Sequence, residues 1–115
     1  MGYMVHHAII VTSWDENSIK TSHSMAVEIF KDLVSDIVKS KTNGYISFFV
    51  APDGSKAGWT ESNDGDVRRD KFIEWLNEQR YEDGSSNMDW AEIQYGDENG
   101  FNKIVRDDEN SKLKR

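Results

Sequence analysis

"GYISFFVAPDGSKAGWTESNDGD" (residues 44–66) is the stretch on which the fold turns. It opens with an aromatic and β-branched run in which Ile46, Phe48 and Val50 share one face and Tyr45, Ser47 and Phe49 share the other. Pro52 presets a first turn position, Asp53 follows, and Gly54 tolerates a positive φ, so residues 45–60 read as a β-hairpin closed at Pro52-Asp53-Gly54. "ESNDGD" (61–66) then reads as a loop that delivers Asp64 or Asp66 as an N-cap. The helix it caps, "VRRDKFIEWLNEQR" (67–80), buries Phe72, Ile73, Leu76 and the stem of Arg69. Tyr45, Phe48, Phe49 and Trp59 thus surround one tight turn. Either they complete a small core, or some of them form a surface that binds something.

Upstream, residues 15–44 contain the clearest helical pattern: Ile19, His23, Ala26, Val27, Phe30, Leu33, Val34, Ile37 and Val38 recur at three- and four-residue spacing. Asn43-Gly44 suits the end of that helix, because both residues tolerate the left-handed conformation. Before it, "VHHAIIVTSW" (5–14) reads as a strand with apolar residues on both faces, hence an interior strand. Downstream, "DWAEIQY" (89–95) alternates as a strand, and "GDENG" before "FNKIV" (101–105) suggests a second hairpin. The expected architecture is a ferredoxin-like βαββαβ α+β sandwich, with two helices on one face of a mostly antiparallel sheet and an extra C-terminal strand. A three-layer arrangement is the main rival. Residues 1–105 read as one domain, and 106–115, which lack periodicity, as a disordered tail.

The 115 residues carry a net charge of −7, unevenly spread. Residues 1–60 hold 5 basic and 6 acidic groups, residues 61–100 hold 4 and 12, and residues 101–115 hold 5 and 3. An acidic second half argues against direct nucleic-acid binding, which needs a basic footprint. It suits a solvated surface, a site for a basic partner, or a mimic of nucleic acid. Cysteine is absent, so disulfides and thiolate metal sites are ruled out. No stretch approaches the roughly 20 apolar residues that span a bilayer, and no basic segment leads into a long apolar one, so a cytoplasmic protein is expected.

Catalytic constellations are weak. His6 and His7 are adjacent on a strand and diverge, so they cannot share one metal ion, while His23 lies on the apolar stripe of the first helix. No strand–Gly-x-Ser-x-Gly–helix elbow occurs, and "DGSKAGW" lacks the Gly-Lys-Ser/Thr ending of a phosphate loop. No cofactor or metal is expected. The aromatics are the better lead: if the helices cover Ile46, Phe48 and Val50, then Tyr45 and Phe49 lie on an open face. A bare apolar face more often packs against another subunit, which predicts a homodimer.

"NGYISFFVAPDGSKAGW", "RYEDGSSNMDWAEIQYGDE" and the opening "HHAIIVTSWD" resemble a group of short acidic bacteriophage proteins of unknown function, over roughly residues 4 to 98. The resemblance implies host takeover or counter-defence, through stoichiometric binding of a host protein or sequestration of a nucleotide signal. The expectation is therefore a non-enzymatic acidic binding protein acting on a host protein. One alternative holds a nucleotide-like ligand among Tyr45, Phe49, Trp59, Arg68 and Arg69; another is a small hydrolase that uses His6, His7 or His23.

Overall fold

A strand with apolar side chains on both faces has to lie inside a sheet, and His6–Ser13 (β1) does. The computed structural model describes residues 5–56, 58–96 and 102–109. After β1 come α1 (Glu16–Phe30), a 3₁₀ turn at Lys31–Leu33, β2 (Val38–Lys39), β3 (Ile46–Val50), α2 (Thr60–Glu78), β4 (Asp89–Tyr95) and β5 (Lys103–Asp107). The protein is α+β: two helices and one five-stranded sheet in the order β2-β3-β1-β4-β5, every neighbouring pair antiparallel.

Register assigns the faces. Ile9 lies between Val50 and Glu92, and Val11 between Phe48 and Trp90, so these side chains share the face that the helices cover. Ile19, Ala26 and Phe30 of α1 and Phe72, Ile73 and Leu76 of α2 close over them in one core. The helices meet where the Phe30 and Phe72 rings pack edge to face at 5.7 Å. On the other face Ile10 lies between Phe49 and Ala91, and no helix covers that row. The three-layer rival is therefore not adopted.

The expected α1 overruns. Its last turn closes at Lys31, which takes φ 56°, ψ −122° while its amide donates to the Val27 carbonyl. Leu33 to Lys39 then form a broken edge beside β3: Val34 bridges Val50, the Ser35 amide donates to the Phe49 carbonyl, and the Ser35 hydroxyl accepts from the Phe49 amide. The apolar spacing of Leu33, Val34, Ile37 and Val38, which mimics a helix, serves a strand edge instead.

The hairpin of β3 also lies on its other side. β3 pairs backward with β2 across a turn in which the Asn43 side chain accepts from the Tyr45 amide and Gly44 takes φ 78°. Asn43-Gly44 has the expected left-handed chemistry but closes a hairpin rather than a helix. Among the described residues no strand of two or more follows Pro52-Asp53-Gly54 before α2; in that turn both the amide and the hydroxyl of Ser55 donate to Asp53.

α2 starts at Thr60, not at residue 67, with Trp59 as its N-cap and no capping side chain, so Asp64 and Asp66 are inside the helix. Gly65 leaves room there for the Asp53 and Arg69 side-chain ends. A Cβ at that position would lie 2.5 Å from an Asp53 carboxylate oxygen, so its absence lets the preceding loop pack onto the helix. At the C-terminal edge the register slips between Glu92 and Ile93, and two consecutive β5 residues, Val105 and Arg106, are both buried. The tail expected from residue 106 therefore does not begin there, because Arg106 and Asp107 belong to β5.

Candidate functional site

Arg69, Glu92 and Arg106 form a buried ionic cluster on the helix-covered face. Glu92 of β4 is fully buried and accepts from Arg106 Nε at 2.5 Å, while Arg106 Nη2 donates to Asp70 at 2.6 Å. Arg69 Nη2 donates to Asp66 at 2.7 Å; its Nε lies 3.9 Å from the second Glu92 oxygen, an ion pair too long for a hydrogen bond. Arg69 Nη1 reaches 4.0 Å from Asp53 in the loop. Burial pulls the Asp53 carboxyl upward, but the two Ser55 hydrogen bonds and the charges of Arg69 and His7 outweigh it and hold the group below its usual range. The cluster fastens loop, α2, β4 and β5 together.

This geometry decides the nucleotide alternative. Beside Arg69, among His7, Asp53 and Gly65, the free space is about 10 Å³, room for one water at most. Phe49 is on the opposite face of the sheet from Arg69, lining a concavity with Ile10 and Tyr95. Tyr45 lies beside Trp14 and Asn87, and Trp59 is exposed at the start of α2 with Lys56 Nζ 5.7 Å from its ring centroid. Arg68 is exposed one residue from Arg69. Among the described residues the five are spread over both faces of the sheet and the start of α2, with only Arg68 and Arg69 lining the same small space.

The histidines separate as well. The His6 ring packs against Tyr95 at 5.3 Å, His7 points to the helix-covered face, and the His23 Nε2–H donates to the Ser35 carbonyl at 2.8 Å with its ring edge-on to Phe48. Among the described residues, no group of three or more His, Asp and Glu side chains is placed to hold a metal ion. No helix among them is long and apolar enough to cross a membrane.

Two surfaces remain. The first is the open sheet face, where a concavity of about 580 Å³ is bounded by Ala8, Ile10, Val38, Phe49, Ile93 and Tyr95. Ile10 and Phe49, paired across the strands, are 42% and 44% exposed, which is high for large apolar groups at the centre of a sheet. The second is the outer side of α2 and the turn after it. Over residues 60–89 the exposed ionisable groups are Glu61, Asp64, Glu74, Glu78, Glu82, Asp83 and Asp89, against Arg68, Lys71 and Arg80. With Arg69 and Arg106 turned inward, this layer is left with four more acids than bases. Sequence spacing placed Phe49 on the open face and the stem of Arg69 on the buried side of its helix; the ion pair of Arg69 with Glu92 had no local signature.

No protein-family model matches the chain, and no curated protein and no solved structure is significantly similar to it.

Proposed function

We propose that the chain is a non-enzymatic binding protein that engages a basic protein partner through the acidic layer of α2 and the following turn. The carrying observation is where two of those acids lie. Glu78 occupies the last turn of α2, where the helix dipole disfavours an anion, and that turn holds no basic residue. Glu74 is four residues earlier and repels it. Both are exposed and neither stabilises the helix, so their charge serves something outside the fold. The phage resemblance makes a host protein in the cytoplasm the partner to look for.

Replacing both acids by lysine separates stability from binding. Glu74→Lys/Glu78→Lys is expected to raise stability by about 0.3–1 kcal/mol, by replacing an unfavourable dipole contact with a favourable one, while the like-charge i,i+4 pair only changes sign. It should also abolish capture of a stoichiometric partner from the cell of origin. Wild-type capture should weaken between about 0.1 M and 1 M salt, as the Debye length falls from about 10 to 3 Å. A partner that binds the doubly substituted protein equally well, or with no salt dependence, would overturn the reading.

A further inference from the structure

We infer that the open sheet face is covered by a second copy of this chain, packed face to face about a twofold axis that runs along β1. The inference is independent of the basic-partner reading, because it uses the opposite side of the molecule. Left bare, the concavity of about 580 Å³ would hold about twenty waters against apolar walls. Five strands about 4.8 Å apart, two to eight residues long and 27 residues in all, give a face on the order of 440 Å². That footprint, largely apolar apart from the Thr12–Ser47 hydroxyl pair, is within the range of the largest patches that monomers carry. With side-chain relief and the Tyr45 and Ile104 rim, it approaches the roughly 800 Å² per partner of a specific interface.

The face is self-complementary. β1 is the third of five strands, so a twofold along it lays β3 on the β4 of the other copy and β2 on its β5. One row across the sheet reads Phe49, Ile10, Ala91. The operation sets the bulky Phe49 over the small Ala91, twice, and Ile10 over Ile10 at the axis. Large side chains then enter the hollows that small ones leave, as aligned sheet packing requires. The edges match in charge at the end of the sheet where β2 lies: Lys39 and Lys41 outnumber Asp36 there, whereas Asp89, Asp107 and Asp108 lie at the same end of β4 and β5, with Lys103 at the far end of β5. The acidic α2 layers end up on the outside, a helix layer of about 10 Å from the seam and beyond the Debye length of about 8 Å, so they oppose association weakly.

The absence of cysteine makes the test direct. Sedimentation equilibrium of the full chain should give twice 13.2 kDa. Phe49→Asp should weaken the dimer by about thirtyfold or more while keeping a cooperative melt. Ile10→Cys gives each chain one thiol, placed at the axis and facing its own copy across the roughly 10 Å between packed sheets, too far for a disulfide. A bismaleimide that spans about 10 Å can join such thiols only between two copies; it should do so, whereas Glu74→Cys, on the outer side of α2, stays unlinked. If Phe49→Asp does not fold, the Ile10→Cys cross-link decides alone. A wild-type monomer at about 0.1 mM, two decades above a micromolar dissociation constant, would overturn the inference. So would a dimer in which Ile10→Cys does not cross-link, or a monomer that carries an apolar small molecule on this face.

Discussion

Glu92 is the residue whose removal the fold can least absorb. It is fully buried on the face that otherwise holds Ile9, Val11 and Trp90, and among the described residues its direct hydrogen bond is from Arg106. Taking the charge away leaves each buried arginine with one anion fewer, Arg106 with Asp70 and Arg69 with Asp66 and a distant Asp53, and empties the fully buried centre that joins them. Breaking such a cluster from one side typically costs 3–5 kcal/mol. Glu92→Ala is expected to lose about 3 kcal/mol or more in urea denaturation, and Glu92→Gln, which keeps the shape, a smaller amount. A loss below about 1 kcal/mol for Glu92→Ala would mean that α2 and β5 are held by apolar packing alone. Replacing the cluster by apolar groups of similar volume need not be destabilising, since desolvation costs about as much as the attraction returns.

At the scale of elements, local pattern served where one element answers to one period. β4 falls at residues 89–95 as its alternation predicts, and β1 within one residue of either end of the expected 5–14. It misled where two structures share a pattern. Leu33, Val34, Ile37 and Val38 continue a helical stripe, yet the chain leaves the helix at Lys31 and Val34 and Ser35 take backbone partners beside β3, with Leu33 and Val34 half-buried and Ile37 and Val38 exposed. The hairpin was assigned to the Pro52 turn instead of Asn43-Gly44, both sound turn sequences; the choice depends on which flank pairs with β3, a nonlocal matter. Of the candidate site, the face that holds Tyr45 and Phe49 was legible from alternation. The burial of the Arg69 stem was legible from helical spacing, but its ion pair was not, because its partner Glu92 is far along the chain. Lys31 marks the helix exit at a measurable cost. Its positive φ with ψ near −122° lies in territory that a side chain resists and glycine accepts. Lys31→Gly is expected to stabilise the protein by about 1 kcal/mol in thermal melts, despite the flexibility that glycine adds to the unfolded chain. A fall in stability would show that the Lys31 side chain contributes more than its backbone costs.

For the whole molecule, two carboxyls give the pH profile opposing slopes. Asp53, held below the usual 3.8, contributes stability that is present above that pH and lost as the pH falls through its lower folded value. Asp108 does the reverse. Burial, with Asp89 and Asp107 nearby, raises it above 3.8, so ionising it costs the fold stability as the pH climbs through its folded value. At neutral pH Asp108→Asn should gain a few tenths of a kcal/mol and Asp53→Asn should lose stability. Both differences should narrow below pH 3.8, as melts across an acid series would show. A constant offset at every pH would assign them to packing rather than charge. The place of β1 at the centre of the sheet also governs assembly in time. The first strand synthesised has no neighbour until β3 follows, and its second side stays open until β4, more than half a chain later, has emerged. Such pairings close long loops and form slowly. A ribosome that has made everything up to Asn87 therefore holds a chain with one edge of its middle strand unpaired. That is the interval in which it would aggregate or recruit a chaperone.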